Sequence, residues 1–410
     1  MAIHFKNTEL AVQYNISEAT VRNWIKSTKE GKLQLELAEH NGRIYVANSV
    51  VNIPIIESLV GQNRKYRNSL AMKTVQSSSS LLKIFTEAQV YDIVRNLEIY
   101  HELPRQYGYF GHGAKEWDEY INKQLSVDTP SMLHGTIELL ADNLSYIDKR
   151  LTKVKKVNVI DIGVGNAVPV KNLLEHLIAQ GKLGRYVALD FSDDMLSIAQ
   201  RNISNWFGER VQFEGFQLDI AYERFANIIA EDYLNSVQDT VNLVLFLGAT
   251  AGNLRVPSDS FRTICESMNP RDILLYTDFI EEADKPPEWF VHSYDLKPQK
   301  PEILSRHRFV LDQLNIEKSF YDAEIGYDKT NRRKYSRARL RFALTLQFEL
   351  SEGERIVQFE KGDTITLWHS WQPTLHSLFH LLESTGFYVL HSSQSEDHNY
   401  ILTIAEVRRD

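Results

Sequence analysis

Over residues 157–280 the pattern of apolar and polar positions keeps switching between two periods. VNVIDIG, RYVALDFS, VQFEGFQLDI, VNLVLFLGAT and DILLYTDF are short runs rich in Val, Ile, Leu and Phe. Each has strand length and strand composition. Residues 168–180 read as a helix, and SDDMLSIAQRNI as a second one with Ser192 placed to cap it. Strand and helix in alternation imply a doubly wound parallel sheet with helices on both faces. Ligands of such sheets bind beyond the carboxyl ends of the strands, near the point where strand order reverses. Upstream, residues 81–150 read mainly as helix, with apolar positions three and four apart in LLKIFTEAQVYDIVRNLEIY. RQYGYFGHGAKEWDEYINKQL follows, rich in glycine and aromatics and then helical, a pattern suited to covering a pocket.

The first 60 residues form a separate pattern. In TELAVQYNISEATVRNWIKSTKEGKL the apolar set is Leu10, Ala11, Tyr14, Ile16, Val21, Trp24 and Ile25. Thr8 and Ser17 are placed to cap two short helices, with Asn15-Ile16-Ser17 as the turn between them. HNGRIYVANS predicts a hairpin turning at Asn41-Gly42. These residues resemble the helix-turn-helix of excisionase and MerR-type DNA-binding domains. The resemblance implies that the second helix enters a major groove. Thr20, Arg22, Asn23 and Lys26, flanked by Glu18 and Ala19, would then face DNA, with Arg43 on the wing. Helical pairs of this size also serve as dimerisation or docking modules, and a homodimer stays open. Residues 61–80 turn basic and then polar, ending in four serines, and read as a linker.

Charge sharpens this division. The 410-residue chain carries −8 overall. Residues 1–76 hold ten Lys/Arg and six Asp/Glu, a charge of +4, which leaves −12 on the remainder. The acidic body is a poor candidate for wrapping nucleic acid by itself, because phosphate repels it. One cysteine, Cys265, excludes an internal disulfide or a cysteine-built zinc site. No leader pattern and no apolar run of membrane-spanning length is visible, so a cytoplasmic protein without a membrane partner is the expectation.

Gly163 and Gly165 end the first strand of the central region and let a ligand approach the backbone. The spacing is G-V-G-N-A and not the G-x-G-x-x-G of dinucleotide sites. Asp190 ends the second strand, 27 residues after Gly163, where a carboxylate can take both hydroxyls of a ribose. Asp219 ends the third, where an acid and its neighbouring backbone can hold an adenine edge; both Asp161 and Asp219 could equally cap local structure. The fourth strand runs into the small-residue loop FLGATAGN.

This arrangement resembles class I S-adenosylmethionine-dependent methyltransferases. More narrowly, residues 81–410 are similar to the histidine-specific methyltransferases of ergothioneine biosynthesis. That family also contains N-methyltransferases of tryptophan-derived alkaloid precursors. The carrying blocks are VIDIGVGN, YVALDFSDDML, LFLGATAGNL, LLYTDF, HSYD at 292–295 and KGDTITLWHSWQPTLHSLFHLLESTGFYVLHSS. The resemblance implies a Rossmann-like sheet with a second α+β substrate domain, added here to a small winged helix-turn-helix. It implies S-adenosylmethionine as cofactor, bound by Asp161, Gly163, Gly165, Asp190, Phe191, Asp219 and Gly248. By the same resemblance Asn253 meets the substrate amine and Tyr294 its carboxylate, both counted as catalytic. The family's Glu-x-Ser grip on imidazole falls at Trp368 and Ser370, so the serine is kept and the glutamate is not. Indole cannot accept a hydrogen bond from imidazole. The tyrosine-rich segment that helps hold the carboxylate corresponds to QLSVDTPSML, which has no tyrosine.

The expected organisation is residues 1–60 as the DNA-binding-like domain, 61–80 as linker and 81–150 as helical cap. Residues 151–295 are the cofactor domain and 296–410 the rest of the substrate domain. The expected activity is N-methylation of an amine or amino-acid-like small molecule other than histidine. His112, His292 and His369 are candidate bases, each also readable as a surface or packing group. A DNA-bound regulator sensing S-adenosylmethionine or a metabolite is the alternative. Nucleic-acid methylation is a third reading, opposed by the acidic body and by LGAT where an Asn/Asp-Pro-Pro-aromatic motif would stand. In the run KTNRRKYSRARLRF, alternation predicts a strand with Arg337, Arg339 and Arg341 on one face, either a solvated face or an anion-binding one. Trp368 and Trp371 in WHSWQP line a pocket or fill a core. No metal is expected.

Overall fold

The computed structural model describes residues 4–14, 16–62, 73–127, 131–234, 239–248, 250–281 and 302–408. The chain divides into two compact units. One holds residues 1–77, 317–322 and 339–363; the other holds 78–316, 323–338 and 364–410.

The first unit begins with β1 (His4–Phe5), α1 (Asn7–Gln13), α2 (Glu18–Lys29), β2 (Leu37–His40), β3 (Arg43–Ala47), α3 (Asn52–Gln62) and β4 (Lys73–Gln76). Ser17 caps α2 by accepting the Thr20 N–H at 3.1 Å. Thr8 lies inside α1, whose cap position is Lys6. Asn15, expected in the turn, lies outside the described residues. Positive φ at Asn41 and Gly42 closes the β2–β3 hairpin. Leu10, Val21, Trp24, Val46 and Ile56 pack together. That packing leaves Arg22, Asn23 and Lys26 on the exposed face of α2, Thr20 half-buried, and Arg43 exposed at the hairpin tip.

The second unit contains α4 (Leu81–Ile84), α5 (Glu87–Tyr100), α6 (His112–Leu125), α7 (Met132–Asp142) and α8 (Leu144–Arg150). Its central run is β5 (Lys156–Ile162), α9 (Lys171–Ala179), β6 (Leu183–Asp190), α10 (Asp193–Phe207), β7 (Phe213–Gln217), α11 (Ala226–Leu234), β8 (Thr240–Phe246), α12 (Pro257–Ser267) and β9 (Ile273–Phe279). Further along the chain lie α13 (Ser305–Gln313), β10 (Tyr321–Asp328), β11 (Arg333–Leu340), β12 (Leu344–Leu350), β13 (Gly353–Phe359), β14 (Thr364–Trp371), α14 (Leu375–Ser384), β15 (Phe387–Gln394) and β16 (Tyr400–Val407), of which β12 and β13 belong to the first unit.

The large sheet has the order β15-β16-β9-β8-β5-β6-β7. Strands β5 to β9 are parallel, whereas β16 and β15 add antiparallel, so the sheet is mixed. Residues 157 and 159–162 of β5 are buried because helices cover both faces. Chain order reverses between β8 and β5, which fixes the crevice at their carboxyl ends.

Two segments depart from the sequence expectation. Residues 73–76, placed in a linker, form β4, which pairs in parallel with β12 because Leu344–Gln347 present an open ladder there. The segment 296–410, placed in one substrate domain, is divided. Its strands β15 and β16 complete the large sheet, and β12 and β13 fall in the first unit. Within 323–338 and 364–371, strands β10, β11 and β14 form a small sheet in the order β10-β11-β14. Among the described residues, no helix is long and apolar enough to cross a membrane.

Candidate functional site

A cavity of about 490 Å³ opens over the carboxyl ends of β5, β6 and β8. Gly163 and Gly165 turn the chain out of β5 with φ of +66° and +55°, a region that favours glycine. Both turns are also crowded. A Cβ on Gly163 would lie 2.8 Å from the Thr250 methyl, and one on Gly165 would lie 2.6 Å from the Trp117 ring. The Gly163 N–H donates to Leu189 O at 2.8 Å, which ties this turn to the end of β6.

Asp190 closes β6. Its Oδ2 accepts the Gly165 N–H at 3.2 Å and its Oδ1 accepts the Ser192 N–H at 3.0 Å. Burial pushes its pKa up to about 6, against these backbone donors and that of Phe191. Asp161, on β5, accepts the Tyr186 hydroxyl at 2.8 Å. Burial pushes it up to about 7, and the nearby Asp190 charge acts in the same direction. Phe191 packs edge-on against Tyr107 and Phe110. Asp219 accepts the Ala221 N–H at 3.0 Å, and burial raises its pKa too. Gly248, with φ of +72°, donates its N–H to Thr277 Oγ1 at 2.9 Å. All seven residues expected at the cofactor border this one cavity.

The opposite wall comes from distant segments. Asn253 lies in a short helical turn after β8. Its Oδ1 accepts the Trp368 indole N–H at 2.9 Å. Because indole only donates, this bond fixes which way the amide points. The Trp368 ring stacks on His307 at 5.4 Å. Ser370, two residues on along β14, accepts from Gln372 Nε2 at 3.0 Å. Tyr294 and His292 lie outside the described residues.

A cap covers the opening. It consists of a helical turn at Arg105–Tyr109 and helix α6, which contribute Tyr109, Trp117 and Tyr120. The cap is fastened at several points to the segments that follow β5 and β6. Ser192 Oγ donates to Tyr109 O, the Gly111 N–H donates to Asp194 at 2.7 Å, and Asn166 donates to Asp118 at 2.8 Å.

Several lining residues were not legible as site residues. Lys334 on β11 is buried, and burial pulls its pKa down to about 8. Arg105 is buried and donates to Arg306 O at 2.9 Å. Burial, with Arg105 and Arg306 adding to it, holds His307 well below the usual histidine range. The signal for Lys334 was present in the period-two alternation of β11, whose even positions 334, 336, 338 and 340 are buried. Of the candidate bases, His112 is exposed, 3.5 Å from Glu116, and His369 faces away from this cavity. The expected arginine face is also divided. Arg339 and Arg341 donate to Gly362 O and Asp322 in the first unit, while Arg337 belongs to the second. Among the described residues, no cluster of His, Cys, Asp or Glu is arranged to hold a metal.

This site invites comparison with known proteins. Solved structures similar to the chain include an S-adenosylmethionine-dependent methyltransferase from Clostridium acetobutylicum. It shows 10% identity and a TM-score of 0.42 over 72% of this chain and 99% of that one. The CcbJ methyltransferase of Streptomyces caelestis shows 12% identity and 0.35 over 68% and 100%. The glycopeptide N-methyltransferase MtfA, complexed with S-adenosylmethionine, shows 12% and 0.33 over 67% and 94%. No curated protein matches the chain. Residues 89–407 match the family described as histidine-specific methyltransferase, SAM-dependent. With most of its length matched, the chain belongs to that family and is an enzyme whose methyl-donating cofactor is S-adenosylmethionine.

Proposed function

We propose that the protein N-methylates a small amine or amino-acid-like acceptor other than histidine. The observation that carries this reading is the Trp368–Asn253 hydrogen bond. An indole donor stands where an imidazole would need an acceptor, and it borders the cavity beside Asn253.

The turns and strand-end acids fit the cofactor. Glycines without a Cβ let a ligand approach the backbone of these turns closely. Asp190, preoriented by two backbone donors, has lone pairs left for the ribose hydroxyls. Asp219 sits where an adenine edge would lie. The bound cofactor supplies an electrophilic methyl group on a sulfonium.

The chain's own task is then to present a neutral, desolvated nitrogen in line with that methyl. Asn253 Oδ1 keeps a second lone pair for an acceptor N–H, which would orient the nitrogen's own lone pair. Lys334 is placed to hold an acidic group of the acceptor, and supplies a cation where the tyrosine-rich segment is missing. The cap excludes water, which strengthens each of these polar contacts. The acceptor's proton leaves to solvent, so no dedicated base is required.

The test is calorimetric titration with S-adenosylmethionine, followed by mass spectrometry of methyl transfer across amines, amino acids and histidine. Cofactor binding with transfer to a non-histidine amine is expected. Histidine as the best acceptor would overturn the assignment.

Residues 1–60 add a second element. The +4 charge of residues 1–76 and the exposed Arg22, Asn23, Lys26 and Arg43 support DNA binding through α2 and the hairpin. Binding to duplex DNA that weakens steeply with salt is expected. Each phosphate-contacting Lys or Arg should contribute a slope of about −0.9 in log K against log salt.

A further inference from the structure

Strands β11 and β14 separate two cavities, and alternate residues look into each. Lys334 and Ser336 border the methyl-transfer cavity, as do Trp368 and Ser370. Arg333, Tyr335, Arg337, His369 and Trp371 border another, of about 590 Å³. Arg255 and the first residues of α12, Pro257 and Ser258, complete this second wall.

Three guanidinium groups therefore meet in one space. Arg255 lies 3.5 Å from the centre of the Tyr100 ring. Arg337 lies 3.9 Å from the Tyr335 ring and donates to Thr366 Oγ1 at 3.2 Å. Arg333 donates to the carbonyls of Arg255 at 2.6 Å and Leu254 at 3.5 Å. The cavity also holds two acids: Glu102 acts electrostatically on Arg255 and Arg333, and Asp328 on Arg333 and Arg337. Asp328 accepts from the Thr330 and Asn331 N–H groups and from Asn331 Nδ2 at 2.8 Å. Glu102 lies 3.1 Å from His369 Nε2. His369 is only 6% exposed, and its Nδ1 has no hydrogen-bond partner among the described residues. Helix α12 begins at this wall with no side-chain cap and carries Asp259 in its first turn.

Three partly buried guanidiniums face two carboxylates here, and a bound anion would offset the remaining positive charge. Arginine forks from several directions and a buried imidazole suit a compact, doubly charged oxyanion. We propose that this cavity binds the phosphoryl group of a small phosphorylated molecule, separately from the methyl-transfer site. Arg333 gives the site a route to the chemistry, because the carbonyls it clasps directly follow Asn253.

The test uses the full chain saturated with S-adenosylmethionine, titrated calorimetrically with inorganic phosphate at constant ionic strength. One phosphate per chain is expected. Affinity should fall at least about tenfold in Arg337→Gln and in Arg255→Gln, each loss removing a charge-assisted bond. Arg337→Lys, which keeps the charge and loses the fork, should fall between these and the parent. Unchanged S-adenosylmethionine affinity in each variant shows that it is folded. Three results would each overturn the proposal: no phosphate binding by cofactor-saturated protein, affinity unaltered in both glutamine variants, or acetate binding as tightly as phosphate.

Discussion

The two halves of the methyl-transfer cavity are built in different ways. The cofactor half is mostly backbone. Gly163, Gly165 and Gly248 set the turns, and strand-end acids are oriented by main-chain N–H groups. The half proposed to take the acceptor is mostly side chain: Asn253, Trp368, Lys334 and Arg105 arrive from four separate segments. A backbone-built surface tolerates little change beyond loss of function. A side-chain surface can be re-specified one residue at a time. The difference suggests that family membership is carried by the first half and acceptor choice by the second.

Substitutions can test this separation. Asp190→Ala should have the largest effect, raising the Kd for S-adenosylmethionine about 100-fold, because two hydrogen bonds to a carboxylate are lost at about 1.5–3 kcal/mol each before reorganisation. A change below about threefold, measured by calorimetry, would remove Asp190 from the cofactor half. Next, Asn253→Ala should lower kcat/KM for the acceptor by about 10- to 100-fold while leaving cofactor affinity within about twofold. Equal losses in both would mean that the halves are not separable. Gly165→Ala should weaken the cofactor by about tenfold, since a left-handed backbone costs an alanine about 1–2 kcal/mol and Trp117 must move.

The smallest effect concerns pH. The ribose contact proposed for Asp190 uses its ionised form, and its pKa is pushed up to about 6. Cofactor affinity should be level above about pH 7 and fall as pH drops through 6, approaching about tenfold per unit below that. For the cofactor-free chain the sign is opposite. With Asp190 at about 6 and Asp161 at about 7, the folded state retains protons that an unfolded carboxyl has released above 3.8. Stability should therefore decline as pH rises from about 4 towards 7, and a melting series across that range would read it. A rise in melting temperature over the same range would contradict the burial of these acids.

The same contrast explains what the sequence disclosed. Strand ends, turn glycines and their acids are local, so VIDIGVGN and YVALDFSDD expose them within a few residues. The acceptor wall depends on which distant segments meet. Trp117 over Gly165 and Trp368 against Asn253 are separated by 48 and 115 residues, and no periodicity announces such pairs. Lys334 was hidden differently. It sat inside a run of basic residues whose average character reads as a solvated face, although its own parity is buried. The pairing of β4 with β12 was equally invisible, because Lys73-Thr74-Val75-Gln76 after a basic stretch looks like tether until an open strand edge takes it.

The alternation of β11 has an evolutionary consequence. Neighbouring side chains in that strand serve different cavities, with Arg333 on one side and Lys334 on the other. Inserting or deleting a single residue would exchange the two linings wholesale. Descendants of this sequence can therefore alter either chamber by substitution, but the length of the shared wall is locked for both.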